Sequence, residues 1–584
     1  MKIFRLFLYF LTIFFWGYQD VIFASEVMGD PLYSEQWYLR PSKASQNDEE
    51  TCIPCLDIEQ AWKYTKGRKF VRLTILELYY DTEQRPTDHP DFKSISIGNE
   101  EIQHTDSIER KDSNQKDAQT ARMRILEYGK TEQAGPIKRF HQTQVLGLIA
   151  ARHNNGEGIK GIATELMETR LMYLNFPKEN DYQQNKTKLF YDIVAMNNKL
   201  IDEVILGDTF SHVYNCSFGH TKFPEATYED LSISFDQGKK AGSTLRNGSK
   251  TGSLFILAAG NIAQPFNLAP LSNVIVVGAV NNQGKRAAYS NYGSGVQLYA
   301  PSGGVPRAPK NKKNKKELIH KLKNRCLGDL INNIDDGDNA HYKRWGLLTT
   351  SFRPSDHNIL PCNSSDKRVE PHYEENATGT SMSAPLVAGI ASLIISMNPE
   401  LTAKEVKDIL TSTANTTGYK DKAYKDAIDI KALNPTKALQ ISMEKIVKKW
   451  AMYWEQYFRG SDIHRKIHYG YYDHSDFVSL TRTSFGEIRK FDGPESINDY
   501  RIWMSELRSR YNEDVTIHVD SFKLIVSKEE EITVSFSQTF QGRGKSPYTD
   551  KVIKTITFIL RDNEKKDGKW WYIKNEGSEL VTNE

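Results

Sequence analysis

Cysteine is scarce in this chain. Five cysteines in 584 residues cannot staple a fold of this size, so burial of apolar surface must hold it together. Charge of one sign is also missing. Lysine and arginine number 77 and aspartate and glutamate 74, which leaves +3 with histidine neutral. That balance makes no case for nucleic acid as a partner or for an acidic substrate. No internal repeat is apparent, and no cysteine follows the apolar N-terminus closely enough for a lipid anchor. What remains is globular: 39% hydrophobic, 11% aromatic and 26% charged residues. This composition excludes a wholly disordered, collagen-like or multi-span membrane chain, and the length fits two to four domains.

The first residues read as an address. Lys2 and Arg5 precede an apolar run over 6–16, and small residues stand at Ala24 and Ser25. The run is shorter than the roughly 20 residues of a spanning helix, so 1–25 is expected to be a signal peptide; an uncleaved anchor is the alternative. No transmembrane domain is expected after cleavage. Export, to a periplasm or beyond, permits disulfides. Cys52 and Cys55 are one candidate pair, and Cys326 and Cys362 another. Cys52 and Cys55 also read as half of a metal site, but no second Cys/His pair at zinc spacing accompanies them, so no metal is assigned.

From about residue 56 to 399, short apolar runs alternate with helix-length stretches. Runs such as Val274-Ile275-Val276-Val277 are apolar on both faces, as in a parallel sheet covered by helices on both sides. The expected fold class is therefore α/β. Two segments, 93–137 and 307–375, are polar and are expected to be surface insertions; the second begins with a lysine run (Lys310, Lys312, Lys313, Lys315, Lys316). Beyond Pro435 an amphipathic aromatic stretch is followed by period-2 segments, which suggests a separate α+β domain over 440–584.

The sharpest chemical signal is Gly379-Thr380-Ser381-Met382-Ser383-Ala384-Pro385 before an apolar helix. A serine at a helix N-terminus sits where backbone amides favour developing negative charge. A serine nucleophile needs a base, and Phe140-His141-Gln142-Thr143-Gln144-Val145 places a histidine just ahead of another apolar helix. An oxyanion needs a fixed donor. Asn261 follows Ala258-Ala259-Gly260 at the carboxyl end of an expected strand, where α/β sites form.

In this order the motifs resemble the subtilisin-like serine proteases, the subtilases, including their kexin-like branch. Further matching segments are Asp30-Pro31-Leu32-Tyr33, Asn215-Cys216-Ser217-Phe218-Gly219, Val276-Val277-Gly278-Ala279-Val280 and Ala288-Tyr289-Ser290-Asn291-Tyr292-Gly293. The resemblance covers roughly residues 30–420. It implies a subtilisin-like domain over 26–438 that hydrolyses peptide bonds through an acyl-enzyme on Ser381. In that scheme His141 is the base, Asn261 the oxyanion donor, and Ser217, Phe218, Gly219, Ala258, Ala259 and Gly260 line the substrate cleft. The implied partner is a polypeptide substrate.

The sequence departs from the family at three places. The family's first strand ends in an Asp that orients the histidine. Aligning Val71-Arg72-Leu73-Thr74-Ile75-Leu76 with that strand puts Glu77 there, with Asp81 as the rival. The usual His-Gly-Thr-His reads His141-Gln142-Thr143-Gln144. Few residues separate Ser25 from Asp30, so no N-terminal prodomain is expected between them. These departures favour a second reading, a pseudoprotease or peptide-binding envelope protein with a degenerate triad. The acidic cluster that gives kexin-like enzymes their basic-site specificity is not evident after Gly219. No cofactor is identified; the family is often stabilised by calcium, but no ligand loop stands out. Finally, 440–584 resembles the NTF2-like (SnoaL-like) fold through Trp454-Glu455-Gln456-Tyr457-Phe458, Val534-Ser535-Phe536 and Gly568-Lys569-Trp570-Trp571-Tyr572-Ile573. That implies a cone-shaped module that binds a cell-envelope ligand or protein partner.

Overall fold

The computed structural model describes residues 29–39, 55–78, 89–92, 124–128, 141–174, 211–217, 252–266, 272–282, 284–303, 346–351, 373–421 and 428–581, the last apart from 473, 485–486, 512–513, 544–546 and 563–568. The expected signal peptide and the lysine run lie outside them.

A nine-stranded sheet forms the first layer. Its strands are β1 (Arg72–Leu78), β2 (Arg124–Tyr128), β3 (Glu168–Leu174), β4 (Val213–Cys216), β5 (Leu254–Ala258), β6 (Val274–Val280), β7 (Leu298–Pro301), β10 (Asn415–Asp421) and β11 (Ile428–Ala432). The order is β10-β11-β7-β6-β5-β4-β1-β3-β2. Every pairing from β2 to β11 is parallel, and only β10 joins antiparallel. β4 to β7 are buried at every position, as their continuous apolar runs require of strands covered on both faces.

Helices α1 (Ile58–Trp62), α2 (His141–Ala150), α3 (Thr380–Met397) and α4 (Ala403–Thr413) accompany this sheet. α3 is long and apolar enough to cross a membrane, yet 94% of it is buried as the central core helix. α4 opens with a capping box, Thr402 Oγ1 accepting from Glu405 N while the Glu405 carboxylate returns to Thr402 N.

The two polar segments are not wholly superficial. The stretch 93–137 supplies β2, the outermost strand beside β3. The stretch 307–375 supplies a buried strand, β8 (Leu347–Thr350), paired antiparallel with β9 (Tyr373–Ala377). Trp37 Nε1 donates to Gly346 O at 2.8 Å, and Tyr38 OH to Leu348 O at 2.8 Å. Four residues of β8 are too few for a periodic signal amid the surrounding polar sequence, which is why this strand was not expected.

α5 (Pro435–Arg459) is one continuous helix, so the expected boundary at 438–440 falls inside it and no flexible linker separates the two parts there. Asn434 caps its start through Lys437 N. Beyond it stand α6 (Asp462–Gly470), α7 (Ile497–Tyr511) and a second sheet of β12 (Ser479–Ser484), β13 (Glu487–Asp492), β14 (Val515–Ser527), β15 (Glu531–Gly542), β16 (Tyr548–Asp562) and β17 (Lys569–Leu580). The order is β13-β12-β17-β16-β15-β14, antiparallel except for β12 beside β17. Between this sheet and the helices lies a buried charged cluster. Glu576 Oε1 accepts from Lys554, Glu576 Oε2 accepts from Arg482 at 3.2 Å, and the Arg482 guanidinium lies 3.8 Å above the Trp454 ring. One apolar core runs through both parts of the molecule. At the junction Trp571 Nε1 donates to Met397 O at 3.1 Å, at the last turn of α3, and the buried Arg68 lies 5.0 Å over the same indole.

Candidate active site

In a parallel sheet, strand carboxyl ends share one edge, and polar groups from distant segments meet there. Glu77 is the penultimate residue of β1 and is 1% exposed. His141 opens α2. Its Nδ1 lies 3.0 Å from Glu77 Oε2. A carboxylate so placed accepts from Nδ1–H, which assigns the proton to Nδ1 and leaves the Nε2 lone pair as the base. Burial of the imidazole works to lower its pKa. The charge of Glu77 and its hydrogen bond overcome that and leave His141 raised above the ordinary histidine value. Asp81, the rival acid, lies outside the described residues.

Ser381 sits in the first turn of α3 and is partly exposed. Gly379 caps that helix at φ 121°, a conformation only glycine adopts without strain. A Cβ there would also stand 3.2 Å from Asn261 Nδ2, so the glycine admits the amide. Asn261 is exposed, but its amide is fixed: Oδ1 accepts from Thr380 N at 2.8 Å and from Thr380 Oγ1 at 3.0 Å. With the oxygen so engaged, Nδ2 is the donor end, and it is turned towards the Gly379–Ser381 turn.

Ala258 ends β5, and the buried Ala259 and then Gly260 carry the chain to Asn261. Gly260 N donates to Thr380 Oγ1 at 3.0 Å. Asn291 shapes this turn, donating to Ala259 O at 2.8 Å and accepting from Gln264 N at 3.0 Å. Ser217 Oγ donates to Ser381 O at 2.8 Å and accepts from Asn215 Nδ2 at 2.9 Å. Phe218 and Gly219 lie outside the described residues. The structure thus joins Glu77 to His141, and separately joins Asn261, Ser217 and the turn 258–260 to the start of α3 at Thr380 and Ser381.

Several supporting residues had no role assigned from the sequence, although Thr380 and Tyr289 stand within quoted motifs. Thr380 pins Asn261. Tyr289 OH accepts from Gly379 N at 2.9 Å, and Ser302 Oγ donates to Gly379 O at 2.6 Å. Adjacency to Ser381 was the available signal for Thr380. None existed for Ser302, which reaches the turn only through the fold.

The chain has a family match. The Peptidase S8 model, the subtilase family, matches residues 80–428, more than half of the sequence. The chain belongs to the subtilase family. The match begins at residue 80, just past Glu77, so Glu77 enters the site through its contact with His141 rather than through the match.

This subtilase has the family's α/β fold with a mostly parallel sheet. It is similar to the extracellular basic protease of Dichelobacter nodosus, 27% identical over 47% of this chain and 35% of that one. The thermophilic serine proteinase of Bacillus sp. strain AK1 is 31% identical over 28% of this chain and 34% of its own length. The chain thus spans about a third of these curated relatives. Among solved structures, a protease from Pseudoalteromonas arctica PAMC 21717 is 20% identical, with TM-score 0.39, over 71% of this chain and 99% of that one.

The pairing of cysteines is visible only in part. Cys55 is disulfide-bonded, and its partner lies outside the described residues, as do Cys52, Cys326 and Cys362. Cys216 is free and buried on β4; burial first, and then the charge of Glu77, push its thiol pKa up. Among the described residues, no three His, Cys, Asp or Glu side chains gather as metal ligands. Asp30 and Asp91 are engaged instead by backbone amides, Asp30 by Asn154 and Asn155 and Asp91 by Ile159.

Proposed function

We propose that this subtilase is an exported serine endopeptidase that cleaves polypeptides through an acyl-enzyme on Ser381. Ser381 Oγ attacks the scissile carbonyl, and His141 Nε2 takes its proton and later gives it to the leaving amine. Glu77 holds the imidazole in the Nδ1–H tautomer and offsets the charge of the imidazolium. Asn261 Nδ2, with backbone amides at the start of α3, donates to the oxyanion. The turn 258–260 and Ser217-Phe218-Gly219 flank the bound peptide.

The observation that carries this reading is the 3.0 Å contact between His141 Nδ1 and Glu77 Oε2. A glutamate in place of the family's Asp still reaches the base, so the altered acid is no argument against turnover. The extracellular names of the Dichelobacter nodosus and Xanthomonas campestris relatives support export. The test is hydrolysis of a denatured protein substrate by the purified chain beside Ser381→Ala. Cleavage lost in the variant, with its melting temperature kept, supports the reading; equal cleavage by both removes it.

We also read 440–584 as an NTF2-like binding module, on its helices and its six-stranded mixed sheet. Co-sedimentation of the full chain with cell-envelope fractions tests for an envelope partner. Recovery in the soluble fraction alone would count against one.

A further inference from the structure

We propose that Thr349 and Thr350 are positioning residues for His141, whose hydroxyls fasten the base-bearing helix to the strand pair leading into Ser381. The proposal rests on the protease reading above for its catalytic consequence. β8 lies within a segment whose sequence looked like a surface insertion, yet Thr349 and Thr350 are fully buried. Thr350 Oγ1 donates to Thr143 O at 2.6 Å, and Thr349 Oγ1 to Gln144 O at 2.7 Å. Both carbonyls belong to the turn that follows His141.

Those carbonyls do not need the hydroxyls for their own satisfaction. Inside a helix, each faces the amide four residues on. The threonine bonds are therefore additional, and what they add is a fixed position of α2 against β8. A valine would fill the same volume without a hydroxyl to desolvate, so burial alone does not favour threonine at either position.

Adjacent residues of a regular strand point to opposite faces. Here both hydroxyls reach consecutive carbonyls of the same helix, Thr350 that of Thr143 and Thr349 that of Gln144. The helix side is adapted too. A Cβ on Gly147 would lie 2.1 Å from Thr350 Oγ1 and 3.0 Å from Thr349 Oγ1, so the approach requires glycine.

β8 has a second attachment. It pairs with β9, Thr349 opposite Glu374 and Thr350 opposite Tyr373. β9 ends at Ala377, and Thr378, Gly379, Thr380 and Ser381 follow directly. One short strand thus holds the helix of the base on one side and the approach to the nucleophile on the other. It fixes their separation without touching either reacting atom.

The test compares the full chain with Thr349→Val/Thr350→Val, with Thr350→Val alone, and with the conservative Thr349→Ser/Thr350→Ser. The first readout is the ring pKa of His141 by NMR on 13C-histidine protein, its resonance assigned with His141→Gln. The second is the rate at which a fluorophosphonate probe modifies Ser381. In the double valine variant the His141 pKa should fall towards the ordinary value, because the imidazole drifts from Glu77. Labelling should slow by about 10- to 100-fold, the scale of an ångström-sized misplacement. The serine pair should restore both, and Thr350→Val alone should show the smaller change if the double variant folds poorly. Unchanged pKa and unchanged labelling in the valine variants would overturn the proposal, whatever their melting temperatures. If the parent protein itself does not label, the protease reading fails separately, and the His141 pKa alone decides the clamp.

Discussion

Replacing Glu77 by Gln changes one charge at the centre of the site and almost no volume. Glu77 Oε2 stands 3.0 Å from His141 Nδ1 and is buried, so its charge acts with little screening. Gln presents either its carbonyl or its NH2 to Nδ1. If the NH2 faces the ring, Nδ1 must accept, the proton moves to Nε2, and the base is lost. If the carbonyl faces it, the tautomer survives but the imidazolium loses its counter-charge. In the serine protease template the equivalent loss costs about 10⁴-fold, which corresponds to about 5.4 kcal/mol of barrier. The same order is expected here in kcat, measured by single-turnover acylation with an ester substrate. The acid limb should move as well. Activity requires neutral His141, so it rises with pH through a folded pKa that Glu77 holds above the ordinary 6.5. Without that charge the limb shifts to lower pH. A Glu77→Gln enzyme within a few-fold of the parent, with an unmoved limb, would refute the role of this carboxylate and return attention to Asp81.

Other expectations follow from the same geometry. Asn261→Ala removes the exposed amide donor at the start of α3, so kcat should fall about 10²- to 10³-fold by ester kinetics; calorimetry should show a lower melting temperature as well, because buried Thr380 loses its acceptor. The raised His141 pKa also bears on stability. A group whose pKa is raised on folding adds stability in full below its unfolded value near 6.5, and that part is lost as pH rises through the folded pKa. Urea titrations of His141→Gln and parent should therefore differ more at pH 5 than at pH 9. Trp571→Ala should destabilise by about 3–5 kcal/mol, because it empties the junction and frees Met397 O at the end of α3; chemical denaturation reads the loss. Arg68 is buried with no hydrogen bond to its guanidinium among the described residues, so Arg68→Met should keep or raise the melting temperature.

Much of the catalytic half was legible because its signals are local. The continuous apolar runs of β5 and β6 specify strands buried on both faces, and Gly379-Thr380-Ser381 marks a helix start by composition alone. Glu77 came from the resemblance: aligning Val71–Leu76 with the family's first strand offered Glu77, with Asp81 as its rival, and the structure shows the contact of Glu77 with His141. What stayed hidden depends on tertiary contact. β8 is four residues long, and its burial comes from Trp37, Tyr38 and α2, which are remote in sequence. The junction at 438–440 read as a boundary because the hydrophobic pattern changes there. The helix nevertheless continues, since Asn434 caps it and its first turns pack near the last turn of α3, where Ser442 Oγ donates to Ile394 O at 3.2 Å. Ser302, which shapes the Gly379 turn, has no sequence signal of its own, and Asn291 stood in a matching segment that gave it no role.

The most direct test of the central claim is covalent labelling of the purified protein with a fluorophosphonate probe, located by peptide mass spectrometry, with Ser381→Ala alongside. If Ser381 is the nucleophile and His141 its base, the probe phosphonylates one residue, Ser381, at a rate that rises with pH through the His141 titration. A folded protein that takes no label at Ser381 across that pH range would contradict that claim.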